Sequence, residues 1–323
     1  MELLPAVLAV LLGLGLLAGG GEALVRGATS VARIAGLTPA VIGLTVVAAG
    51  TSLPELVVSI MAAVRGTPDI AVGNVVGSNI FNIAIVLGAA ALVTPLKIHG
   101  TAVRLEWPVM FLASWIGFLL MRDFGLDRME GGFFVASLIV FVAYSVYIAR
   151  YEVSEQEQSD YASETSGRSL HPRTKELLLS VLAVLAGSGL LVLGGNFLVE
   201  GSVAIARYAG MTERVIGLTI VAVGTSAPEL AASLVAAYRG RTDLALANII
   251  GSNIFNILGI LGVTALIHPI PIAEGIVHTD AWWMLAFAVV LLPMLWRGKS
   301  ISRVEGALLL GGYGIYLVTL LRS

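Results

Sequence analysis

Apolar residues fill this chain in long runs, broken by Gly, Pro or a charged side chain rather than by alternation. Runs of 18 or more recur from end to end, and each is long enough to cross a hydrocarbon core of about 30 Å as a helix. Read against their breakers, they predict ten spans, near residues 3–33, 38–64, 69–93, 104–121, 130–150, 176–206, 213–238, 243–267, 279–296 and 303–321. Between the fifth and sixth lies the only sizeable polar segment, Tyr151 to Lys175, carrying Glu152, Glu155, Glu157, Asp160 and Glu164. With little to bury, it reads as a flexible linker. The expected domains are therefore a five-helix repeat over 1–150, a linker over 151–175 and a second repeat over 176–323. The opening Met1-Glu2-Leu3-Leu4-Pro5 lacks a basic region, and its apolar run exceeds a signal-peptide core. It reads as a first transmembrane helix.

Composition agrees. The chain is 57% hydrophobic and 12% charged, about half the usual charge fraction of a soluble domain. Segments of about ten alternating residues, the mark of an outer-membrane barrel, do not occur. A net charge of −2 without a basic run gives no reason to expect a nucleic-acid partner. The absence of Cys excludes disulfides, Cys-ligated zinc and thiol chemistry. With the N-terminus outside, twelve Lys and Arg face the cytoplasm and six the exterior. The positive-inside rule then puts both termini outside the cell membrane. Trp107, Trp282, Trp283 and Trp296 near span ends suit interfacial anchoring.

The chain repeats itself at an offset of 174 residues. Gly43-Leu-Thr-Val-Val-Ala-Ala-Gly-Thr-Ser-Leu-Pro-Glu55-Leu matches Gly217-Leu-Thr-Ile-Val-Ala-Val-Gly-Thr-Ser-Ala-Pro-Glu229-Leu. Gly77-Ser-Asn-Ile-Phe-Asn-Ile83 matches Gly251-Ser-Asn-Ile-Phe-Asn-Ile257 without a difference. Each half holds five spans, an odd number, so the second copy enters the membrane from the opposite side. The fold class expected is an all-α polytopic membrane protein, its ten transmembrane helices forming two inverted five-helix repeats. Such inverted repeats belong to secondary transporters and place a site at mid-depth where the copies meet.

Glu55 and Glu229 lie deep in apolar spans, where a charge costs about 2.5–3.5 kcal/mol or more. No Lys, Arg or His falls at comparable depth to pair with them, so two buried carboxylates point to a bound cation. Pro54 cannot donate to the carbonyl of Gly50, nor Pro228 to that of Gly224. A helix break is therefore predicted at each Gly-Thr-Ser-x-Pro. Freed carbonyls at membrane depth are tolerated where they line a cavity or bind an ion. Thr51, Ser52, Thr225 and Ser226 add hydroxyls at the breaks. Asn74, Ser78 and Asn82 form a polar stripe at helical spacing, repeated as Asn248, Ser252 and Asn256. Of these, Ser78, Asn82, Ser252 and Asn256 are expected to touch the ion. Asn79 and Asn253, about 100° away, are expected to pack. An all-oxygen cage of two carboxylates and flexible carbonyls suits Ca2+ or Na+ better than Mg2+, zinc or copper.

These motifs resemble the two α-repeats of the sodium/calcium exchangers, in the calcium/cation antiporter superfamily and of prokaryotic type. The resemblance implies an antiporter exchanging Ca2+ for Na+ by alternating access, with no cofactor beyond the transported ions. No paired membrane Asp, no His-Glu-x-x-His and no Gly-x-Ser-x-Gly with a buried His is present, so no enzymatic activity is expected. It implies that Glu55 and Glu229 bridge Ca2+, with the carbonyls of Thr51 and Thr225. It further implies Na+ sites around Ala48 (carbonyl), Ser52, Ser78 and Asn82, and around Ala222 (carbonyl), Ser226, Ser252 and Asn256. The first and sixth spans would slide as a gate over the other eight. Some members carry Asp at the position of Asn256, so the cage here holds at most two negative charges. Three Na+ would leave it one charge positive.

The alternative within transporters is a proton/calcium exchanger. A passive channel would need a ring of ligands at a pore, whereas this site lies within one chain and a monomer suffices. The expected partners are the transported cations and the lipid bilayer. Glu22 and Arg26, four apart, are expected to pair, and Asp69 and Asp243 to cap the helices they open.

Overall fold

The computed structural model describes residues 3–66, 68–98, 100, 102–151, 173–208, 222–297 and 300–322. Most of the predicted linker and the first part of the predicted seventh span, 213–221, therefore lie outside the described residues.

The chain is predominantly helical. In order, its elements are α1 Leu3–Ala35, α2 Pro39–Thr51, α3 Leu53–Val64 and α4 Pro68–Val93. Then come β1 Leu96–Lys97, α5 Ala102–Asp123, β2 Gly125–Leu126, α6 Arg128–Tyr151 and α7 Arg173–Tyr208. The remainder is α8 Ala222–Thr225, α9 Ala227–Tyr238, α10 Thr242–Ile267, β3 Ile270–Pro271, α11 Ile276–Arg297, β4 Ser300–Ile301 and α12 Arg303–Arg322.

Seven of these helices are long and apolar enough to cross a membrane, and eight if α2 and α3 count as one bent span. Leu8, Leu11, Ile139, Val140, Leu182 and Leu185 are exposed. Large aliphatic side chains turned outward along spanning helices mark a surface solvated by lipid. The protein is a multi-pass membrane protein. The centre belongs to α4 and α10, whose most apolar stretches are 78% and 83% buried, against 22% for α1.

The repeat extends well past the sequence motifs. β1 and β3 stand 174 residues apart, as do the π-helical turns Ala102–Glu106 and Ile276–Asp280. β1 pairs antiparallel with β4, and β2 with β3, so each small sheet joins one strand from each half. The 22-residue helix α5 separates β1 from β2, long enough to put the two sheets at opposite ends of the spans.

α1 and α7 pack closely along a strip of small residues, Ala6, Gly13, Gly20 and Gly27 against Ser180, Gly187, Gly194 and Gly201. A Cβ on Gly20 would lie 2.9 Å from the carbonyl oxygen of Gly187, and one on Gly194 would lie 3.0 Å from that of Gly13. Small residues let backbones approach where no hydrophobic force drives helices together. Glu22 on α1 pairs with Arg26 as expected, and also accepts from Arg239 just past α9 at 2.7 and 3.0 Å.

Two smaller expectations change. Asp69 and Asp243 sit inside the first turns of their helices instead of capping them; Pro68 opens α4, and Arg241 occupies the cap of α10. Proline fits the first helical position, and an acid one step further in still faces the positive end of the helix dipole. Trp107 donates its indole N–H to the Ala288 carbonyl at 2.8 Å, so it ties α5 to α11, whereas Trp282 and Trp296 do stand exposed.

Candidate functional site

The two Gly-Thr-Ser-x-Pro segments break their helices as expected. Between α2 and α3 the axis bends by 44° at Ser52, which has left the helical ψ for φ −83°, ψ 7°. Ser226, between α8 and α9, repeats it at φ −89°, ψ 9°. In both copies the proline comes two residues later, at the second position of the new helix, where its missing N–H costs nothing. Glu55 and Glu229 then fall in the first turns of α3 and α9. The positive ends of two helix dipoles thus bear on the two carboxylates.

Both glutamates are 1% exposed, so neither carboxylate meets solvent. Each is held by the serine of the other half. Ser52 donates to Glu229 Oε1 at 2.9 Å, and Ser226 donates to Glu55 Oε1 at 3.1 Å. Ser226 also lies 3.1 Å from the hydroxyl of Ser78 on α4. The exchange brings five predicted residues into one cluster.

Behind the carboxylates, Asn74 donates to the Glu55 carbonyl at 3.2 Å and to Ser59 at 3.1 Å. Its own oxygen lies 3.4 Å from the Thr225 hydroxyl. Asn248 makes the matching bond to Ser233 at 3.0 Å. Thr51 is fully buried and turns its hydroxyl to the carbonyl of Ala48 at 3.3 Å, which also accepts from the Ser52 N–H at 3.1 Å. That predicted ligand is thus engaged within the helix here. Ala222 opens α8 at the edge of the described residues.

α4 and α10 each pass through a π-helical stretch beside the site, Asn82–Leu87 and Phe255–Leu261. Such a turn carries one extra residue, rotates the helix beyond it and is frequent at functional sites. Asn82 and Asn256 sit where these stretches begin. Asn79, on the regular α-helical part of α4 just before its π stretch and expected only to pack, joins the cluster as well. It is 1% exposed, accepts from Asn256 Nδ2 at 2.9 Å and reaches the Asn253 carbonyl at 3.4 Å. The signal that could have found it was the unbroken duplication of Gly-Ser-Asn-Ile-Phe-Asn, which keeps both asparagines.

Several buried oxygens in this cluster have no protein donor: Glu55 Oε2, Glu229 Oε2, Asn82 Oδ1, Asn256 Oδ1 and Ser252 Oγ. Orphaned buried polar atoms of this kind carry a desolvation cost of about 1–3 kcal/mol each, more when charged. The ion pairs of Glu22 with Arg26 and Arg239, and of Arg33 with Glu176, do not include either glutamate of the site. No third carboxylate and no imidazole joins them among the described residues. Two acids amid neutral oxygens make a donor set for a hard cation.

The long helices α1 and α7 lie across this cluster. The hydroxyl of Ser188 on α7 is 2.7 Å from where a Gly50 Cβ would stand, and a Cβ on Gly195 would lie 3.4 Å from the Gly224 carbonyl oxygen. On α1, the corresponding position at Gly21 is 3.3 Å from the carbonyl oxygen of Ala231 on α9.

The chain as a whole is similar to known proteins. Residues 5–147 and 179–322 match the family described as sodium/calcium exchanger protein. The chain is 42% identical to a putative antiporter, CaxA, of Alkalimonas amylolytica over 99% of its own length and all of the relative's. It is 33% identical to the sodium/calcium exchanger MaX1 of Methanosarcina acetivorans over 97% of each chain. Among solved structures, the sodium-calcium exchanger NCX_Mj, soaked with Na+ and no Ca2+, superposes with a TM-score of 0.85 at 30% identity, covering 99% of this chain and 100% of that one. The chain belongs to the sodium/calcium exchanger protein family.

Proposed function

We propose that this protein is a secondary antiporter that exchanges Ca2+ for Na+ across the cell membrane by alternating access. It would do so as two inverted five-helix repeats with both termini outside. The observation that carries the reading is the reciprocal serine–glutamate pairing. Ser52 with Glu229 and Ser226 with Glu55 build one site from both halves, and its remaining carboxylate oxygens have no protein partner.

The inverted arrangement is supported by the strand pairing. Residues 96–97 and 300–301 belong to loops that the ten-span reading puts inside, and 125–126 and 270–271 to loops it puts outside; in each case the pair is bonded together. The second half thus runs through the membrane in the sense opposite to the first.

In this reading Ca2+ sits between Glu55 and Glu229 with the carbonyls of Thr51 and Thr225. Na+ occupies surrounding positions formed by Ala48, Ser52, Ser78 and Asn82, and by Ala222, Ser226, Ser252 and Asn256. Two carboxylates neutralise one Ca2+, so Ca2+ and Na+ compete for the same charge. The small-residue strip lets α1 and α7 move together as the cover that admits ions from one side and then the other.

The experiment is Ca2+ uptake into proteoliposomes under an imposed Na+ gradient, compared with an imposed pH gradient. Uptake driven by the outward Na+ gradient is expected. Uptake driven only by the pH gradient would reject the Na+ assignment in favour of protons.

A further inference from the structure

An asparagine amide serves a cation only if its oxygen, and not its NH2, faces the ion. Something must fix that choice for Asn256, whose side chain is buried on α10. Its Nδ2 donates to Asn79 Oδ1 at 2.9 Å, across the junction of the two halves. Asn79 is fixed in turn, because its own Nδ2 lies 3.4 Å from the backbone carbonyl of Asn253. A carbonyl can only accept. The polarity of the chain Asn253 carbonyl, Asn79, Asn256 is therefore set from its far end, and reversing any member would bring two acceptors or two donors face to face. Asn256 Oδ1 is left pointing away from Asn79, buried and without a protein partner.

The mirror relay is not made. Asn253, the repeat of Asn79, turns its Nδ2 back to the Ile249 carbonyl of its own helix at 3.2 Å. Its Oδ1, and both amide atoms of Asn82, have no partner. Asn79 has no such freedom, since its Nδ2 also lies 3.7 Å from the sulfur of Met284 on α11.

We infer that Asn79 is a positioning residue, holding the amide oxygen of Asn256 towards the transported cations through a one-directional relay that only one half of the molecule possesses. This rests on the site proposed above and adds an inequality that the repeated sequence hides: Asn79 matters to ion binding and Asn253 does not. Loss of Asn79 lets Asn256 rotate and present its NH2 to the ion. A carboxylate has no wrong face, so Asn256→Asp removes the need for the relay.

The test is a cation titration of the purified full chain, with Na+ and with Ca2+, read as the rise in thermal unfolding midpoint. In Asn79→Leu, similar in shape but without an amide, the half-effective concentration of the affected cation should rise about tenfold, the equivalent of one lost charged hydrogen bond. In Asn253→Leu it should change by less than about twofold, and Asn79→Leu added to Asn256→Asp should likewise cost less than about twofold. A purely structural defect would cost the same in both backgrounds, and the cation-free midpoint reports it separately. Should Asn79→Leu not fold, Asn79→Ser, too short to reach Asn256, takes its place. No rise in the Asn79 variant, an equal rise in both backgrounds, or an equal effect of Asn253→Leu would overturn the inference. So would a wild type that neither cation stabilises. Failure of Na+ coupling alone would show in wild-type flux and leave this binding readout standing.

Discussion

Ser52 donates a hydrogen bond to Glu229, 177 residues away, at 2.9 Å. Its repeat, Ser226, does the same for Glu55 at 3.1 Å. Each half of the molecule therefore completes the carboxylate of the other, and neither half contains a site by itself. The two bonds are not equal, because Ser226 also meets Ser78.

That inequality gives a first prediction. Ser226→Ala should weaken Ca2+ binding more than Ser52→Ala, because it unties Glu55 and Ser78 together. A hydrogen bond to a charged group is worth about 1.5–3 kcal/mol, so losses of tenfold or more are expected for Ser226→Ala. Competition binding on the two purified variants checks the order, and the reverse order would contradict it.

The small-residue strip predicts a contrast between neighbours. Gly19 has nothing within 4 Å of its missing Cβ, whereas Gly20 has the Gly187 carbonyl oxygen at 2.9 Å. Gly19→Ala should be neutral or stabilising by up to about 1 kcal/mol through helix propensity. Gly20→Ala should force α1 and α7 apart and cost about 1–3 kcal/mol. Thermal unfolding of the two variants measures the difference, and a slowed exchange rate in Gly20→Ala alone would tie the strip to helix movement.

Asn256 offers a test of charge. With Asn there, the buried cage holds two carboxylates, matched to one Ca2+. Asn256→Asp adds a third, and the number of Na+ carried per Ca2+ should rise, read as a change in the reversal potential of exchange in liposomes. An unchanged reversal potential would show that stoichiometry does not depend on the charge of the cage.

Much of this was legible in the chain because backbone chemistry writes itself locally. Pro54 and Pro228 cannot donate to the carbonyl four residues back, so the breaks at Ser52 and Ser226 are already implied by the sequence. Glu55 and Glu229, alone with their charge in apolar runs, announce a cation. The 174-residue offset also holds in the structure, in strands and π turns whose sequences hardly match. Partnership across the halves could not be read. Nothing in the spacing says that Ser52 serves Glu229 and not Glu55. The placing of Asn79 failed for a related reason: it does sit on the neighbouring face of a regular α-helix, but that face meets the other half of the molecule, where Asn256 and the Asn253 carbonyl stand. Asp69 and Asp243 each fall at the second position of a helix and not at its cap, since Pro68 opens one helix and Arg241 caps the other.

The central claim is that Glu55 and Glu229 together hold one Ca2+ that Na+ displaces. Equilibrium binding of radioactive Ca2+ to the purified chain, with Na+ as competitor, tests it most directly. The wild type should bind one Ca2+ per chain and release it as Na+ rises. Glu55→Gln and Glu229→Gln should each remain folded yet bind Ca2+ at least about a hundredfold more weakly, as expected for the loss of one buried charged ligand. Binding of near wild-type strength in either variant, or Ca2+ that Na+ cannot displace, would contradict the account.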